Sequence, residues 1–342
     1  MPPTSRIPPL LQPFARTPKN ESLLLLTSTL DASANWLLTR FLCDALGSGQ
    51  KDNDNGEAKN VVLVSWMRDY DFWRQEARKG TGIDLGGLRT QGRFAFVDGL
   101  SGLFLPADED TADQQRAQKL PAAQPGGPAT RGPQPLPVRG PPGRTAPATA
   151  TAQAAPRAPA SLPGLYALSS ISLDQMKTTI AAAIASLRPP TAATRTLVVL
   201  DNPDILLASV PGLTAAALTS FFLDLHTQTS VSHVLVHLQS DLALLANAEK
   251  PSPLQIAQKN LVVKTAHMSA KVLSVRVLDT GVARDVSGVL RVTVNRESWA
   301  DIATVGEGGA VQAPEEVGSE VLYKINGDGS VRVFERGAEL AV

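Results

Sequence analysis

Residues 22–33 read SLLLLTSTLDAS, a short apolar run followed by a polar one. The apolar run, Ser22–Thr27, is typical of a strand that is buried on both faces, as in a parallel sheet covered by helices. The polar residues that follow include several that cap helices, and Trp36, Leu37 and Phe41 then recur at helical spacing. This segment therefore predicts a strand, a turn and a helix, in that order.

The same alternation of strands and helices continues through much of the chain. Further apolar runs predict strands at residues 60–66, 93–98, 195–201 and 232–238. Helical spacing or composition predicts helices at residues 69–79, 171–187, 213–226 and 254–259. Strands that alternate with helices are typical of a parallel sheet with right-handed crossovers. We therefore predict an α/β fold with a mostly parallel central sheet flanked by helices.

The end of the chain has a different pattern. Alternation or β-branched residues predict strands at residues 261–267, 272–278, 289–294, 320–325 and 330–334. Residues 326–329 read NGDG, a strong signal for a hairpin turn between the last two of these strands. We therefore predict antiparallel strands on one edge of the parallel sheet.

Composition divides the chain into segments. Residues 106–163 are dominated by Pro, Ala, Gly, Gln and Thr and contain no aromatic residue, so they cannot bury enough apolar surface to offset the entropy of ordering. We predict that they form a disordered insertion within one domain. The predicted organisation is a disordered tail at 1–20, the first half of the domain at 21–105, the insertion at 106–163, and the second half with its antiparallel strands at 164–342.

Charge and cysteine content restrict the function. The 32 basic and 32 acidic residues give a formal charge of zero, so any RNA contact must come from a local patch or from a partner protein. Cys43 is the single cysteine, which excludes an internal disulfide and a cysteine-based zinc cluster. We read it as a buried apolar residue and expect the chain in the cytoplasm or the nucleus. No apolar run reaches the length of about 18 residues of a membrane span, so we expect none.

The turn after the first strand decides whether the chain can bind a nucleotide. A phosphate-binding loop needs glycines for close backbone approach, a lysine for the phosphates, and a serine or threonine for magnesium. Residues 27–35 read TSTLDASAN, which contains no glycine and no lysine, and Asp31 would repel an anion. We therefore predict no nucleotide cofactor and no ATP hydrolysis, so that the chain is not an enzyme.

One strand nevertheless resembles part of an ATPase. Leu197–Asp201 reads LVVLD, like the Walker-B strand whose aspartate helps to hold magnesium. Four apolar residues and an aspartate are a weak signal. A magnesium ion at Asp201 would also need a bound phosphate, and the chain lacks the lysine-containing loop that would bind one. The interpretation we favour is that Asp201 caps the turn at Asn202 and Pro203 or the helix that follows.

Two histidines are candidates for a metal site or for a structural role. His233 and His237 lie four residues apart in one predicted strand, so both side chains point to the same face of the sheet. No carboxylate or cysteine pattern accompanies them, which favours the structural role. The chain also lacks a nucleophile elbow, a paired-carboxylate pattern and a dinucleotide-binding loop. We therefore predict no catalytic, cofactor-binding or metal-binding residue.

Residues 68–73 read RDYDFW and combine aromatic with charged side chains. One interpretation is a helix N-terminus, with Asp69 or Asp71 at the positive end of the helix dipole and the aromatic rings in the core. The other interpretation is a protein interface, where Tyr, Trp and Arg are enriched. The two are compatible, and the first is favoured.

This part of the sequence resembles a known family. Residues 62–73, 76–79, 82–85 and 92–99, which read VLVSWMRDYDFW, EARK, GIDL and GRFAFVDG, are similar to the sixth subunit of the Elongator complex of filamentous fungi. The opening strand and helix and the strand Leu197–Asp201 also fit, whereas the insertion falls outside the resemblance. The resemblance implies a RecA-like fold without ATPase motifs, that is, a pseudo-ATPase.

The resemblance also implies partners and a biological role. The sixth subunit joins the fourth and fifth Elongator subunits in a hetero-hexameric ring, which binds transfer RNA and attaches to the larger catalytic subcomplex. The assembly modifies wobble uridines, and its chemistry lies in another subunit. In ring proteins of this fold, loops after the central strands face the pore. For this chain that implies the stretch 239–260 and, as RNA contacts, Lys250 and Lys259.

Two other functions stay open at this point. The chain could be a degenerate or atypical nucleotide-dependent α/β enzyme, which would bind ATP with magnesium. It could instead be a RecA-like regulatory paralogue from recombination or clock systems, which would bind single-stranded DNA; the neutral overall charge argues against this.

Overall fold

The computed structural model describes residues 7–18, 20–47, 59–104, 163–188, 195–245, 249–281, 283–295 and 319–335. The helices in these ranges are α1 (Gln12–Ala15), α2 (Asn35–Gly47), α3 (Tyr70–Thr81), α4 (Leu85–Thr90), α5 (Ser101–Phe104), α6 (Leu173–Ala185), α7 (Ile205–Ser209), α8 (Ala215–His226) and α9 (Pro253–Met268). The strands are β1 (Ser22–Ser28), β2 (Asn60–Ser65), β3 (Phe94–Asp98), β4 (Leu165–Ala167), β5 (Thr196–Asp201), β6 (Val231–Gln239), β7 (Lys271–Arg276), β8 (Gly288–Val294), β9 (Ser319–Ile325) and β10 (Val331–Glu335). The insertion predicted at 106–163 lies outside the described residues except for Pro163.

The strands form one sheet in the order β10-β9-β8-β7-β1-β6-β5-β2-β3-β4. Neighbouring strands from β7 to β4 are parallel. β8, β9 and β10 continue the sheet beyond β7 in antiparallel pairs. The predicted architecture, a parallel α/β core with antiparallel strands on one edge, is therefore confirmed.

The two faces of the sheet carry separate apolar cores, because side chains alternate along a strand. On one face, Leu24 and Leu26 of β1 pack with residues of α2, α3 and α4. On the other face, Leu23 and Leu25 pack with residues of α6, α8 and α9. β1 contributes to both cores and is buried along its whole length, as its apolar run predicts. Within the described ranges, no helix is both long and apolar enough to cross a bilayer.

The prediction of a strand at 261–267 is wrong, because these residues form the second half of helix α9. The helix begins with a capping box, in which Ser252 and Gln255 exchange hydrogen bonds, and Pro253 occupies the first turn. Leu261 and Thr265, one helical turn apart, are both fully buried against the sheet. Tertiary packing and the cap therefore outweigh the β-branched composition of this segment.

The prediction of a disordered tail at 1–20 is not met by residues 7–18. They form a short 3-10 helix, Pro9–Leu11, followed by α1, and they bury Leu11 and Ala15 completely. The Lys271 ammonium donates to the carbonyl oxygens of Pro13, Phe14 and Arg16 at 3.1–3.4 Å. Two buried apolar side chains and the buried Lys271 ammonium therefore hold this segment in place. The proline content of the sequence does not indicate these contacts.

Candidate functional site

Polar side chains cross the sheet at the carboxyl ends of the parallel strands, on the face covered by α2 and α3. The register pairs His237 with Asp201, Asp201 with Ser65, and Ser65 with Asp98. Ser28 lies on the adjacent strand, two residues beyond the partner of His237. We call the residues Ser28, His237, Asp201 and Ser65 the polar row. In open α/β sheets this edge is where ligands bind, so the polar row is the first candidate for a functional site.

The members of the polar row are hydrogen-bonded to each other. Ser65 Oγ donates to Asp201 Oδ2 at 2.7 Å, and His237 Nδ1 lies 2.8 Å from Asp201 Oδ1. A carboxylate can only accept, so Nδ1 carries a proton toward Asp201, and the other ring nitrogen, Nε2, lies 2.8 Å from Ser28 Oγ. Both oxygens of Asp201 are therefore engaged by side chains of the neighbouring strands.

The hydrogen bonds connect Ser28, His237 and Asp201 in the order in which the members of a catalytic triad are connected. However, the relative exposure of these residues is 1%, 2% and 1%, and Ser65 is fully buried. A nucleophile must meet its substrate in a cleft, and this serine is covered by protein in the described conformation. The arrangement is therefore a buried network that ties β1, β6, β5 and β2 together.

The backbone of the surrounding loops is attached to the polar row. The amide of Arg68, in the loop after β2, donates to Ser65 Oγ at 3.0 Å. Ser240, after β6, donates through both its amide and its hydroxyl to the carbonyl oxygen of Ser28. The Leu30 amide, in the turn after β1, donates to Asp241 Oδ1 at 2.9 Å. Three loops at this edge are thus held in place by one set of hydrogen bonds.

The turn between β1 and α2 does not fit a nucleotide phosphate. Thr29 and Ala32 form an isolated β-bridge, with the Ala32 amide 3.0 Å from the Thr29 carbonyl oxygen, so the turn is tight. The side chains of Ala32 and Ala34 are buried at the position where a phosphate loop needs bare glycines. The Asn35 amide, at the start of α2, donates to Ser33 Oγ at 3.3 Å. Residues 27–35 themselves contain no glycine, lysine or arginine that could hold a polyphosphate.

The interpretation of Asp201 as a cap for the following turn is wrong. Its carboxylate points along the sheet to Ser65 and His237, because it occupies the same face as the core residues of β5. The turn is made by Asn202, whose φ of 57° lies in the left-handed region that asparagine tolerates. A metal role for Asp201 gains no support either, because both of its oxygens already have protein partners.

A second buried carboxyl lies beside the polar row. Asp204 Oδ2 accepts from the Gln239 amide at 2.9 Å and from Gln258 Nε2 at 2.7 Å, which joins β6 and α9. Asp204 Oδ1 is buried without a hydrogen-bond partner among the described residues. Burial raises the pKa of the Asp204 carboxyl, although the two hydrogen bonds oppose the shift.

Asp204→Asn should make stability less dependent on pH. A folded-state pKa above the unfolded value gives stability that is present below the unfolded pKa, about 3.9, and is lost as the pH rises through the folded pKa. Asparagine does not titrate, so the variant should gain stability relative to the native chain as the pH rises from 4 to 8. Urea unfolding across this range measures the difference. Asp71→Asn, at an exposed carboxyl, is the control, and a constant difference for Asp204→Asn would contradict the expectation.

The structural role predicted for the two histidines is confirmed. His237 belongs to the polar row, and His233 lies on the same face near the amino end of β6. His233 Nε2 is 3.0 Å from the Pro18 carbonyl oxygen, and Nδ1 is 2.9 Å from Ser232 Oγ. Burial, with a smaller effect of nearby Lys59, lowers the pKa of His233 to about 4. Within the described residues, no group of three or more His, Cys, Asp or Glu side chains could hold a metal ion.

The helix interpretation of RDYDFW is confirmed. Asp69 caps α3 by accepting from the Phe72 amide at 2.8 Å, and Trp73 is fully buried. The Arg68 guanidinium stacks over the Phe72 ring, with 5.1 Å between the guanidinium carbon and the ring centroid. Arg68 and Phe72 stay partly exposed, so the segment retains a surface that an interface could use.

The two lysines predicted to contact RNA are both exposed. Lys250 precedes α9, and Lys259 lies within this helix, in agreement with the helix predicted at 254–259. The structure brings neither lysine into the polar row. Two surface pockets, of about 230 and 450 Å3, are lined by residues of other regions: one by Leu168–Ser170 and α6, the other by the amino-terminal segment, β9 and β10.

Sequence reasoning missed Ser28, Ser65, Asp204 and Gln258 as members of this site. A signal for the first two was present, because each of several apolar strands ends in one polar residue. Parallel strands bring such ends to one edge of the sheet. Asp204 and Gln258 gave no such signal, because their contact depends on how α9 packs.

Comparisons with known proteins agree with the fold. A KaiC-like protein of the archaeon Pyrococcus horikoshii OT3 matches with 11% identity and a TM-score of 0.47, over 96% of this chain and 97% of that chain. An uncharacterised protein of Pyrococcus horikoshii, solved in complex with an unknown peptide, matches with 10% identity and a TM-score of 0.52, over 96% of this chain and 98% of that chain. Neither a protein-family model nor a curated protein sequence matches the chain. At these identities the likeness concerns the fold alone.

Proposed function

We propose that this chain is a non-catalytic RecA-like subunit of an Elongator complex, corresponding to its sixth subunit. The proposal rests on one observation. The polar side chains at the carboxyl ends of the strands in this RecA-like sheet hydrogen-bond to each other. The polar groups that could bind a ligand there are hydrogen-bonded to each other within the polar row. The turn after β1 is held tight by the bridge between Thr29 and Ala32. A subunit of this kind contributes surface to an assembly and no chemistry of its own.

The family-like segments support this proposal through their positions. Residues 62–73 and 92–99 form most of β2, the start of α3 and all of β3. Ser65 of β2 is a member of the polar row, and the Arg68 amide donates to Ser65 Oγ. The resemblance is therefore concentrated at the edge of the sheet that the polar row holds together.

The proposal includes partners and a location. The chain would join the fourth and fifth Elongator subunits in a hetero-hexameric ring. This ring would bind transfer RNA, attach to the larger catalytic subcomplex and support modification of the wobble uridine. We propose the cytoplasm, and also the nucleus, as the place where the complex acts.

One alternative is favoured by a specific observation: β5 is an apolar strand that ends in Asp201, as in a Walker-B strand. Under this alternative the chain would be a degenerate or atypical nucleotide-dependent enzyme, and Asp201 would hold a magnesium ion. That role requires Asp201 to give up its contacts with Ser65 and His237.

Two measurements test the proposal against this alternative. Native mass spectrometry of the chain co-expressed with the fourth and fifth Elongator subunits should show a hetero-hexamer. Isothermal titration of the isolated chain with ATP and magnesium should show no binding. Binding that disappears in Asp201→Asn would favour the enzyme, and a solitary chain after co-expression would contradict the scaffold.

Charge reversal at Lys250 and Lys259 should weaken transfer RNA binding by the reconstituted ring. Each lysine that contacts a phosphate contributes about 1 to the slope of log affinity against log salt, so Lys250→Glu with Lys259→Glu should lower this slope by about 2. Filter binding at several salt concentrations measures it. Arg78→Glu with Lys79→Glu, two exposed cations of α3, changes the charge equally and is the control. Unchanged affinity of the lysine variant would remove both lysines as RNA contacts.

A further inference from the structure

Helix α9 carries a regular pattern on the side that faces away from the sheet. Its inner side buries Gln258, Leu261 and Thr265. Its outer side exposes Ile256, Asn260, Val263 and His267, which are spaced four, three and four residues apart. This is the spacing of the contact positions of a coiled coil, conventionally called a and d. We call these four residues the outer seam.

The composition of the outer seam matches a helix-pairing surface. Ile256 and Val263 occupy d positions and are 46% and 45% exposed, although they are aliphatic. Asn260 and His267 occupy a positions, where polar residues fix the register of a pair at a cost in stability. Leu254 and Leu242, both exposed, extend the apolar surface at the amino end of α9, where Gln255 Nε2 donates to the Ala243 carbonyl oxygen at 2.8 Å.

Charge specifies the partner. Lys259 and Lys264 occupy the positions that flank the seam, conventionally g and e, and both are exposed. The whole helix contains no aspartate or glutamate. In a parallel pair of two copies of this chain, Lys259 of one copy would face Lys264 of the other and repel it. The chemistry therefore favours a partner helix with glutamate or aspartate at its flanking positions.

RNA is a weaker match to the outer seam itself, although Lys259 beside it is also one of the two proposed RNA contacts. The centre of the seam is aliphatic, and α9 has no Phe, Tyr or Trp on which a base could stack. A phosphate backbone would use the lysines but would leave Ile256 and Val263 exposed. An acidic helix would cover both the apolar and the charged side chains.

We propose that the outer seam of α9 is a docking surface for one acidic amphipathic helix of a partner protein. The helix has 16 residues and is about 24 Å long, so it offers about two heptads. A helix that docks over only two heptads forms a weak and reversible contact. The inference does not depend on the identity of the assembly to which the chain belongs.

The test uses two fluorescein-labelled helical peptides with leucine at a and d, one with glutamate and the other with lysine at e and g. Fluorescence anisotropy with the full chain should show the acidic peptide bound at least about tenfold more tightly than the basic one. Lys259→Glu with Lys264→Glu should reverse this preference. Equal binding of the two peptides, or a preference that the charge reversal leaves unchanged, would overturn the proposal.

A second pair of variants distinguishes peptide binding at the outer seam from nonspecific binding to exposed apolar side chains. Ile256→Ser with Val263→Ser should weaken the acidic peptide by at least about tenfold. The control, Ile171→Ser with Val294→Ser, removes side chains that are 47% and 43% exposed elsewhere and should change affinity by less than about twofold. Equal losses in both variants would contradict the proposal.

Two further outcomes would also overturn the proposal. One is self-association in sedimentation that Ile256→Ser with Val263→Ser removes, because the occupant would then be a second copy. The other is displacement of the acidic peptide by transfer RNA together with insensitivity to the serine variants, because the surface would then recognise an anion rather than a helix.

Discussion

His237→Ala should cost about 3–5 kcal/mol of unfolding free energy, because it removes the partner of a buried carboxylate. In the native chain the imidazole lies between Asp201 and Ser28, at 2.8 Å from each. Without it, Asp201 Oδ1 and Ser28 Oγ would both lack this partner in an environment that water does not reach. Urea unfolding with a linear extrapolation measures the change.

The control for this variant is His267→Ala, which removes an exposed imidazole from α9 and should change stability by less than about 0.5 kcal/mol. A loss of less than about 1 kcal/mol for His237→Ala would mean that the polar row contributes little to stability. The fold would then owe its cohesion at this edge to the two apolar cores.

Trp73→Ala should also cost about 3–5 kcal/mol, because it empties a site in the core. Trp73 is fully buried and packs edge-on against Phe72, with 5.4 Å between the ring centroids. Phe72 is only partly buried and also contacts Arg68, so Phe72→Ala should cost about 1–2 kcal/mol. Thermal or urea unfolding of the two variants compares them directly.

This pair of variants separates core packing from interface function within one segment. If Phe72 and Arg68 contribute to a subunit contact, Phe72→Ala should weaken assembly more than its small effect on folding explains. A larger folding loss for Phe72→Ala than for Trp73→Ala would show that the assignment of core and surface in α3 is wrong.

The sequence allows the sheet and most of its helices to be predicted, because burial on both faces leaves a continuous apolar run in each parallel strand. Ser22–Thr27 is an example, and β1 is buried along its whole length. The short elements were missed: β4 has three residues, and α4 begins LGG, which reads as a turn. Its cap, Asp84, becomes visible only from its hydrogen bond to the Gly86 amide.

The candidate site is harder to predict than the fold. The absence of a phosphate loop follows directly from residue types in one short segment. The polar row does not, because Ser28 and His237 are 209 positions apart and meet only through strand order and register. A carboxylate such as Asp201 also has the same sequence context whether it holds a metal, caps a turn or bonds to a histidine.

The position of the last hairpin has a consequence for biosynthesis. The Trp36 ring on α2 packs on Tyr323 of β9 at 4.7 Å between centroids, and Arg40 of the same helix donates to the Gly329 carbonyl oxygen at 3.3 Å. β1 also pairs with β6 and β7, which follow it by some 200 residues or more. The ribosome therefore synthesises 289 further residues after Arg40 before α2 can complete these contacts, and the part of the chain made first stays open to chaperones during that time.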